Sequence, residues 1–348
     1  MLGKAAALAG AFAGAFYYIQ HHSLELAGGL PLVNLGIPPG IVETELGDLS
    51  GQTFLVTGAN SGLGLSSVKL LARHNARVLL GCRSLAKCEA AAGEVRKASP
   101  RAELVIPGAL DLSSLRSVRA FAAAVRKDAA VAAGKLKSVV CNAGFVPNAF
   151  ALTAEGVEDS FAGNHLGHFE LFRLLAEDLV RARPSTLVTV SSNVHTQPLA
   201  TARGVPQSLA ELNDPQGFDS VRRYGMGKLA NILHVKEIDR RYFARGITAT
   251  AVHPGGVDTA FLNAVKGGRS LSSWKDPVFK LFALVAPLLF WESNVVAITI
   301  VAAAVKPKGH GEFTVPIHRV FTPSAQAQDM VAAKDLWDLS AAIADGIK

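Results

Sequence analysis

Tyr224 and Lys228 stand four residues apart in the helical-looking stretch Tyr224-Gly225-Met226-Gly227-Lys228-Leu229-Ala230-Asn231. Residues at i and i+4 share a helix face, so a phenol and an ammonium converge on one point of a cleft. The cation favours the phenolate, and is expected to bring a phenol of ordinary pKa about 10 toward the working range of an acid or base. Far upstream, Thr57-Gly58-Ala59-Asn60-Ser61-Gly62-Leu63-Gly64 follows an apolar run and opens a helical pattern. There Gly58 permits a tight turn, and Gly62 and Gly64 let the backbone approach a pyrophosphate at a helix N-terminus. Together the two motifs point to hydride chemistry on a carbonyl or an alcohol.

A hydride reaching a carbonyl carbon builds negative charge on the oxygen, so donors must be aimed at that oxygen and one must surrender a proton. Ser192 and Tyr224 supply hydroxyls and Lys228 supplies field. A nucleophilic Ser192 would want a Gly-x-Ser-x-Gly elbow, and Val188 to Ser192 has none. His195 reads as a loop histidine rather than a base. His165 and His168 read as packing or polar-network residues beside Asn164.

Cofactor choice turns on Gly81-Cys82-Arg83-Ser84. An acidic residue at this strand end would hold the ribose hydroxyls of NAD(H), whereas an arginine accommodates a 2′-phosphate. Arg83 is there, with Lys87 one turn on, so NADP(H) is expected in preference to NAD(H).

Seven short apolar runs alternate with helical patterns: Phe54 to Thr57, Arg77 to Cys82, Leu104 to Ile106, Ser138 to Cys141, Thr186 to Ser191, Thr248 to His253 and Phe313 to Val315. Parallel strands need crossovers, and helices supply them in right-handed units. The fold expected is therefore a single-domain, Rossmann-type doubly wound α/β structure, a seven-stranded mostly parallel sheet with helices on both faces. It would occupy residues 51–320, after an apolar segment at 1–22 and a linker at 23–50, and before a C-terminal helical extension at 321–348. The run from Val278 to Phe290, within residues 270–291, is almost wholly apolar but broken by Pro287. It reads as a substrate lid or an interfacial segment.

The chain has 348 residues, 49% hydrophobic and 18% charged, with a mean hydropathy of +0.28, which hints at membrane contact. Ala5 to Ile19 is an uncharged apolar stretch behind Lys4. It is short against the ~20 residues that cross hydrocarbon. A membrane anchor is the expectation, with a cleaved signal or a packed helix as alternatives. A net charge of +7 suits an anionic cofactor or lipid, but no Lys/Arg run or aromatic platform appears, so nucleic acid is not an expected partner. Cys82, Cys88 and Cys141 make an odd count without metal-ligand spacing. Buried thiols fit better than a disulfide scaffold, and no metal is expected.

Over about Gly51 to Val315 the chain resembles the short-chain dehydrogenase/reductase family, in particular its retinol dehydrogenase-like, often membrane-associated branch. The motifs that carry this are Thr57 to Gly64, Asp111-Leu112, Cys141-Asn142-Ala143-Gly144, Asn164-His165-Leu166-Gly167-His168-Phe169, Val190-Ser191-Ser192, Tyr224-x-x-x-Lys228 and His253-Pro254-Gly255. The resemblance implies that Gly58, Asn60, Ser61, Gly62, Leu63 and Gly64 cradle the cofactor. It implies that Asp111 and Leu112 meet the adenine, and that Asn142, Ala143 and Gly144 line the adenosine side. Ser192 would hold the substrate oxygen, Tyr224 would exchange the proton, and Lys228 would bind the nicotinamide ribose and lower the Tyr224 pKa. Asn164 would kink its helix and seat a water, and Pro254, Gly255, Val257 and Thr259 would lie on the nicotinamide side, with Thr259 on the carboxamide. Gly225 and Gly227 each cost about 1 kcal/mol relative to Ala inside a helix, which close approach of the cofactor would explain.

The implied activity is NADP(H)-dependent interconversion of a carbonyl and an alcohol on an apolar substrate of retinoid, steroid or fatty aldehyde class. The setting would be the endoplasmic reticulum or another endomembrane, and a homodimer is left open. The alternatives are a carbon-carbon double-bond reductase of the protochlorophyllide reductase type, and a catalytically silent dinucleotide-binding membrane or assembly factor.

Overall fold

All seven apolar runs are strands of one sheet, because strands covered on both faces must be apolar nearly throughout. In the computed structural model, which describes residues 43–196, 204–216, 218–255, 293–316 and 318–347, β1 (Thr53–Thr57) is buried at every position. It is followed by β2 (Arg77–Gly81), β3 (Glu103–Val105), β4 (Leu136–Cys141), β5 (Ser185–Val190), β6 (Ile247–Val252) and β7 (Glu312–Val315). The sheet has eight strands rather than seven. The additional one, β8 (Arg319–Val320), runs antiparallel on β7 and is two residues long, too short to leave a period in the sequence. The apolar segments at 1–22 and near 270–291 lie outside the described residues, as do Val257 and Thr259. Among the described residues no helix is long and apolar enough to cross a membrane.

Strand order is β3-β2-β1-β4-β5-β6-β7-β8. The chain winds outward through β2 and β3, then returns to the other side of β1 at β4. That reversal opens a crevice at the carboxyl ends of β1 and β4, where doubly wound sheets bind ligands.

Among the described residues the long helices covering the sheet are α1 (Gly62–Arg73), α2 (Leu85–Ala98), α3 (Leu115–Arg126), α4 (Gly167–Arg181), α5 (Ser220–Tyr242), α6 (Ser293–Val305) and α7 (Met330–Gly346). Two apolar layers result. Val68 of α1, Val95 of α2 and Ile300 of α6 pack on one face with Phe54 and Val56. Phe121 of α3, Phe169 and Phe172 of α4, Leu229 of α5 and Trp337 of α7 pack on the other with Leu55 and Val139. Helix α7 is tied down at both ends. Asp329 caps its first turn by accepting from the Val331 and Ala332 amides at 2.9 and 3.0 Å. Arg119 of α3 donates to the Ala344 and Ile347 carbonyls at its far end.

The cysteines correct the sequence reading. Cys82 and Cys88 form a disulfide with their Cα atoms 5.9 Å apart, and Cys141 is the free, buried thiol. The reason is local: the turn from β2 into α2, capped by Ser84 at the Lys87 amide, folds the fourth residue of the helix back over the strand end. Arg83 and Lys87 are thereby held inside a covalent loop. Thiol titration of the unreduced, denatured protein should find one reactive cysteine. Reducing the bridge removes a short-loop constraint of roughly 2 kcal/mol, so reduced protein should unfold at lower urea. Three titrating thiols without reductant would refute the bridge.

Candidate active site

Construction starts at the glycine turn. Gly58 and Gly62 have φ of +66° and +52°, the left-handed region open to glycine. Gly64 is required by crowding, since a Cβ there would lie 2.2 Å from the Gly58 carbonyl oxygen and 2.6 Å from Asn142 Nδ2. Ser61 precedes α1 in an extended conformation without a side-chain cap to the helix. Ser61 and Gly62 are exposed. The first turn of α1 thus presents backbone N–H groups and the positive helix end outward, the donor set that an anionic pyrophosphate needs. Asn60 and Leu63 flank this turn.

Thr57 locks the turn to β4. Its hydroxyl accepts from the Asn142 and Ala143 amides at 2.9 and 3.1 Å, while Asn142 Nδ2 donates back to the Thr57 carbonyl at 2.9 Å. With two N–H groups donating into it, the hydroxyl directs its own proton to His168 Nε2, 2.9 Å away, in preference to Val140 O at 3.4 Å. Burial holds His168 neutral, its pKa pushed down to about 3, with the nearby Lys228 charge adding to the effect. Thr57 and His168 were not singled out as site residues in the sequence, although both lie inside the motifs quoted.

Asn164 sits in a single π turn, Ala162–Leu166, at the head of α4, the kind of wide turn that marks functional positions in helices. Its amide behaves as a backbone substitute. Oδ1 accepts from the Phe145 N–H and Nδ2 donates to the Phe145 and Ser160 carbonyls, all at 2.9 Å. Gly144 runs between Asn164 and Lys228: a Cβ on it would lie 2.7 Å from Asn164 Oδ1 and 3.1 Å from Lys228 Nζ. A Cβ on Gly227 would lie 3.2 Å from Asn164 Cβ. In the protein alone, what crowds Gly227 is therefore the Asn164 side chain.

Helix α5 begins at Asp219, whose carboxylate accepts from the Arg222 amide at 2.7 Å. One turn on, Tyr224 is half-buried. Lys228 is 2% exposed, with Nζ donating to Val190 O at 2.9 Å and lying 5.3 Å from the Tyr224 ring centre. Ser192 follows the end of β5 and hydrogen-bonds Tyr224. Asn164, Ser192, Tyr224 and Lys228 therefore converge at the carboxyl ends of β4 and β5, beside the glycine turn.

Electrostatics depart from expectation here. Tyr224 is pushed up to about 12 by burial, with the Ser192 hydrogen bond pulling the other way, and Lys228 is pushed down to about 8 by burial. In the protein alone, burial is the larger influence on the phenol. At neutral pH the pair is a phenol beside an ammonium.

The remaining predicted residues lie along the crevice rim. Arg83 and Lys87 are exposed at the end of β2, with no ion pair among the described residues. Asp111 accepts from the Ser113 amide at 3.0 Å, and its own amide donates to Ser117 Oγ at 2.9 Å. Leu112 is buried, with its carbonyl against Gly167. Pro254 and Gly255 follow β6, where Gly255 has φ +81°. Open N–H donors at one end, a buried ammonium at the other and exposed cations at the end of β2 suit an extended dinucleotide.

His195, read as a loop histidine rather than a base, lies in the turn after β5, 2% exposed and bonded to the Ser192 carbonyl at 2.6 Å. The spacing of three from Ser192 was the available signal, because the 3₁₀ turn Asn193–Thr196 brings the two together.

Residues 52–203 match the family model for short chain dehydrogenase. The WW domain-containing oxidoreductase of Homo sapiens is 34% identical over 300 residues, covering 84% of this chain and 68% of that protein. Retinol dehydrogenase 13 of Homo sapiens is 31% identical over 296 residues, 84% of each chain. A solved structure of a putative uncharacterized protein from Mycobacterium Paratuberculosis superposes with a TM-score of 0.67 at 28% identity, covering 88% of this chain and 98% of that one. On fold, motifs and relatives together, this chain belongs to the short-chain dehydrogenase/reductase family, in its retinol dehydrogenase-like branch.

Proposed function

We propose that the protein is an NADP(H)-dependent oxidoreductase that interconverts a carbonyl and an alcohol on an apolar, retinoid-like substrate. The observation that carries this reading is the convergence of Ser192, Tyr224, Lys228 and Asn164 beside an open helix N-terminus. Kinship with retinol dehydrogenase 13 supports the substrate class. The exposed Arg83 and Lys87 at the end of β2 support NADP(H).

A bound nicotinamide dinucleotide would supply or accept the hydride. Gly58, Gly62, Gly64 and the first turn of α1 would hold its pyrophosphate, Arg83 and Lys87 the 2′-phosphate, Asp111, Leu112 and Asn142 to Gly144 the adenosine side, and Lys228 the nicotinamide ribose. Pro254 and Gly255, with Val257 and Thr259 beyond the described residues, would border the nicotinamide. In the reducing direction the Ser192 hydroxyl donates to the substrate oxygen, and Tyr224, a phenol throughout the neutral range, hands over its proton as charge builds there. Lys228 keeps its charge below pH about 8 and stabilises the phenolate left behind. Asn164 holds the Phe145 backbone beside Lys228, so the ammonium has a fixed wall on that side.

Purified protein should consume NADPH with apolar aldehydes or ketones and yield the corresponding alcohols. Tyr224→Phe should lower kcat by about 10²- to 10⁴-fold with NADPH affinity nearly unchanged. A variant that kept its kcat would remove Tyr224 as the acid.

For the cofactor, Arg83→Ala should weaken NADPH by about 1.5–3 kcal/mol, roughly 10- to 100-fold in Kd, and leave NADH unaffected. Equal NADPH and NADH affinities in the parent protein would rule out the role given to Arg83.

Burying the Lys228 ammonium also has a signature in stability. Its folded pKa of about 8 lies below the ordinary 10.5, so between these values the unfolded chain keeps a proton that the folded chain has released, and stability rises with pH. Lys228→Met should lose turnover yet resist urea better at pH 7, by on the order of 1 kcal/mol. That advantage should shrink by pH 9.5. A difference constant across this window would contradict the depressed pKa.

A further inference from the structure

Ser192 hangs on the end of β5, and what fixes it there reaches outside the sheet. Ser191 is locked from both sides: its amide donates to Val252 O at 2.7 Å and its hydroxyl to Lys228 O at 2.7 Å. Among the described residues Ser192 has no such ladder partner. Its hydroxyl has the neighbours of its own turn, Asn193 Oδ1 at 3.3 Å and the Val194 amide at 3.2 Å, besides Tyr224. The turn as a whole is held through His195. Nδ1 of that ring lies 2.6 Å from Ser192 O, and Nε2 accepts from the Ser324 amide at 3.3 Å. The ring stands edge-on to Phe313 of β7, 5.3 Å between centres.

Both partners of the imidazole are backbone groups of fixed polarity. A carbonyl can only accept, so Nδ1 carries the hydrogen; an amide can only donate, so Nε2 presents its lone pair. One neutral tautomer satisfies both, and burial keeps the ring uncharged. With both nitrogens committed, His195 is not a proton shuttle.

We propose that His195 is a positioning residue for Ser192, and that the Ser192 carbonyl, His195 ring and Ser324 amide form a bridge joining the catalytic turn to the C-terminal segment. That segment is anchored in its own right. Phe321 N donates to Phe313 O at 2.8 Å, Ala327 N closes a turn on Ser324 O at 3.0 Å, and α7 follows, packed against α5. The C-terminal segment therefore registers Ser192 against the helix that carries Tyr224 and Lys228. This inference rests on the proposed role of Ser192 in holding the substrate oxygen.

The bridge can be cut at either end. His195→Leu fills the space without hydrogen bonds, whereas His195→Asn retains a donor near the Nδ1 position. Ser324→Pro removes the amide hydrogen, and the buried hydroxyl lost with it makes no hydrogen bond; Ser324 already has φ −54°, inside the range of proline. Each is compared with the parent protein and Ser192→Ala in NADPH-dependent reduction of all-trans-retinal, alongside NADPH affinity and thermal unfolding. Losing one such hydrogen bond should lower kcat about tenfold in His195→Leu and Ser324→Pro, with NADPH Kd within about twofold of the parent. His195→Asn should recover part of the loss. Parental kcat in His195→Leu and Ser324→Pro while Ser192→Ala is impaired overturns the bridge and leaves the proposed function standing. Parental kcat in Ser192→Ala overturns the serine's role itself, and the bridge with it. Equal loss in His195→Leu and His195→Asn, with NADPH binding lost in parallel, reduces His195 to packing and likewise overturns the proposal.

Discussion

Where the paired strands β1 and β4 end at the crevice, one hydroxyl ties the segments that leave them to each other. Thr57 ends β1, and its Oγ1 takes the amide hydrogens of Asn142 and Ala143 just past β4 while engaging the His168 ring from α4. Such a crevice is a liability in a folded protein, because strand ends there expose donors and acceptors that no neighbouring strand satisfies. Thr57 satisfies two of those donors with one oxygen, and His168 completes the set without introducing charge. The glycine turn, the Asn142 to Gly144 segment and the head of α4 are thus fixed relative to one another before any ligand enters.

Lys228 is the second constraint, and it works in the opposite sense. An ammonium taken out of water costs free energy that a single backbone acceptor does not fully restore. The site keeps it near neutrality by holding its pKa at about 8 and Tyr224 at about 12. The protein alone is therefore poised as an acid rather than a base. The same burial that weakens the fold leaves Lys228 with a strong field, because little solvent screens it. Stability and proton transfer draw on the same group in opposite directions.

Much of this was legible in the sequence, for physical reasons that differ from residue to residue. Buried parallel strands must be continuous apolar runs, so all seven major strands could be read to within a residue or two. The two residues of β8 could not, having no period. Tyr224 and Lys228 were legible because helical spacing alone puts them on one face, and the glycine turn because its backbone geometry leaves few other residues. The disulfide was opaque. A spacing of six between Cys82 and Cys88 means nothing until a strand end and a helical turn fold over each other. Burial of Tyr224, which raises its pKa in the protein alone, was likewise not to be read from sequence, which shows a neighbouring charge but not its surroundings. His195 was read as a loop histidine rather than a base, and its second partner, Ser324, 129 residues away, was not to be seen from sequence.

Gly227 shows how tightly these requirements are coupled. In a solvated helix it would be replaced at a gain of about 1 kcal/mol by alanine, and nothing in its own turn forbids a side chain. The obstacle is Asn164, whose Cβ would stand 3.2 Å from the new carbon. Asn164 cannot retreat, because its amide is committed to Phe145 on both sides and to Ser160 behind. Gly144 closes the same gap from β4, since a side chain there would meet Asn164 Oδ1 and Lys228 Nζ together. Two glycines on different elements thus admit one asparagine, and through it bring α5, β4 and α4 close enough for the ammonium to lie buried beside the phenol. The helix accepts a weaker intrinsic propensity at Gly227 because tertiary packing around Asn164, rather than propensity, determines its stability.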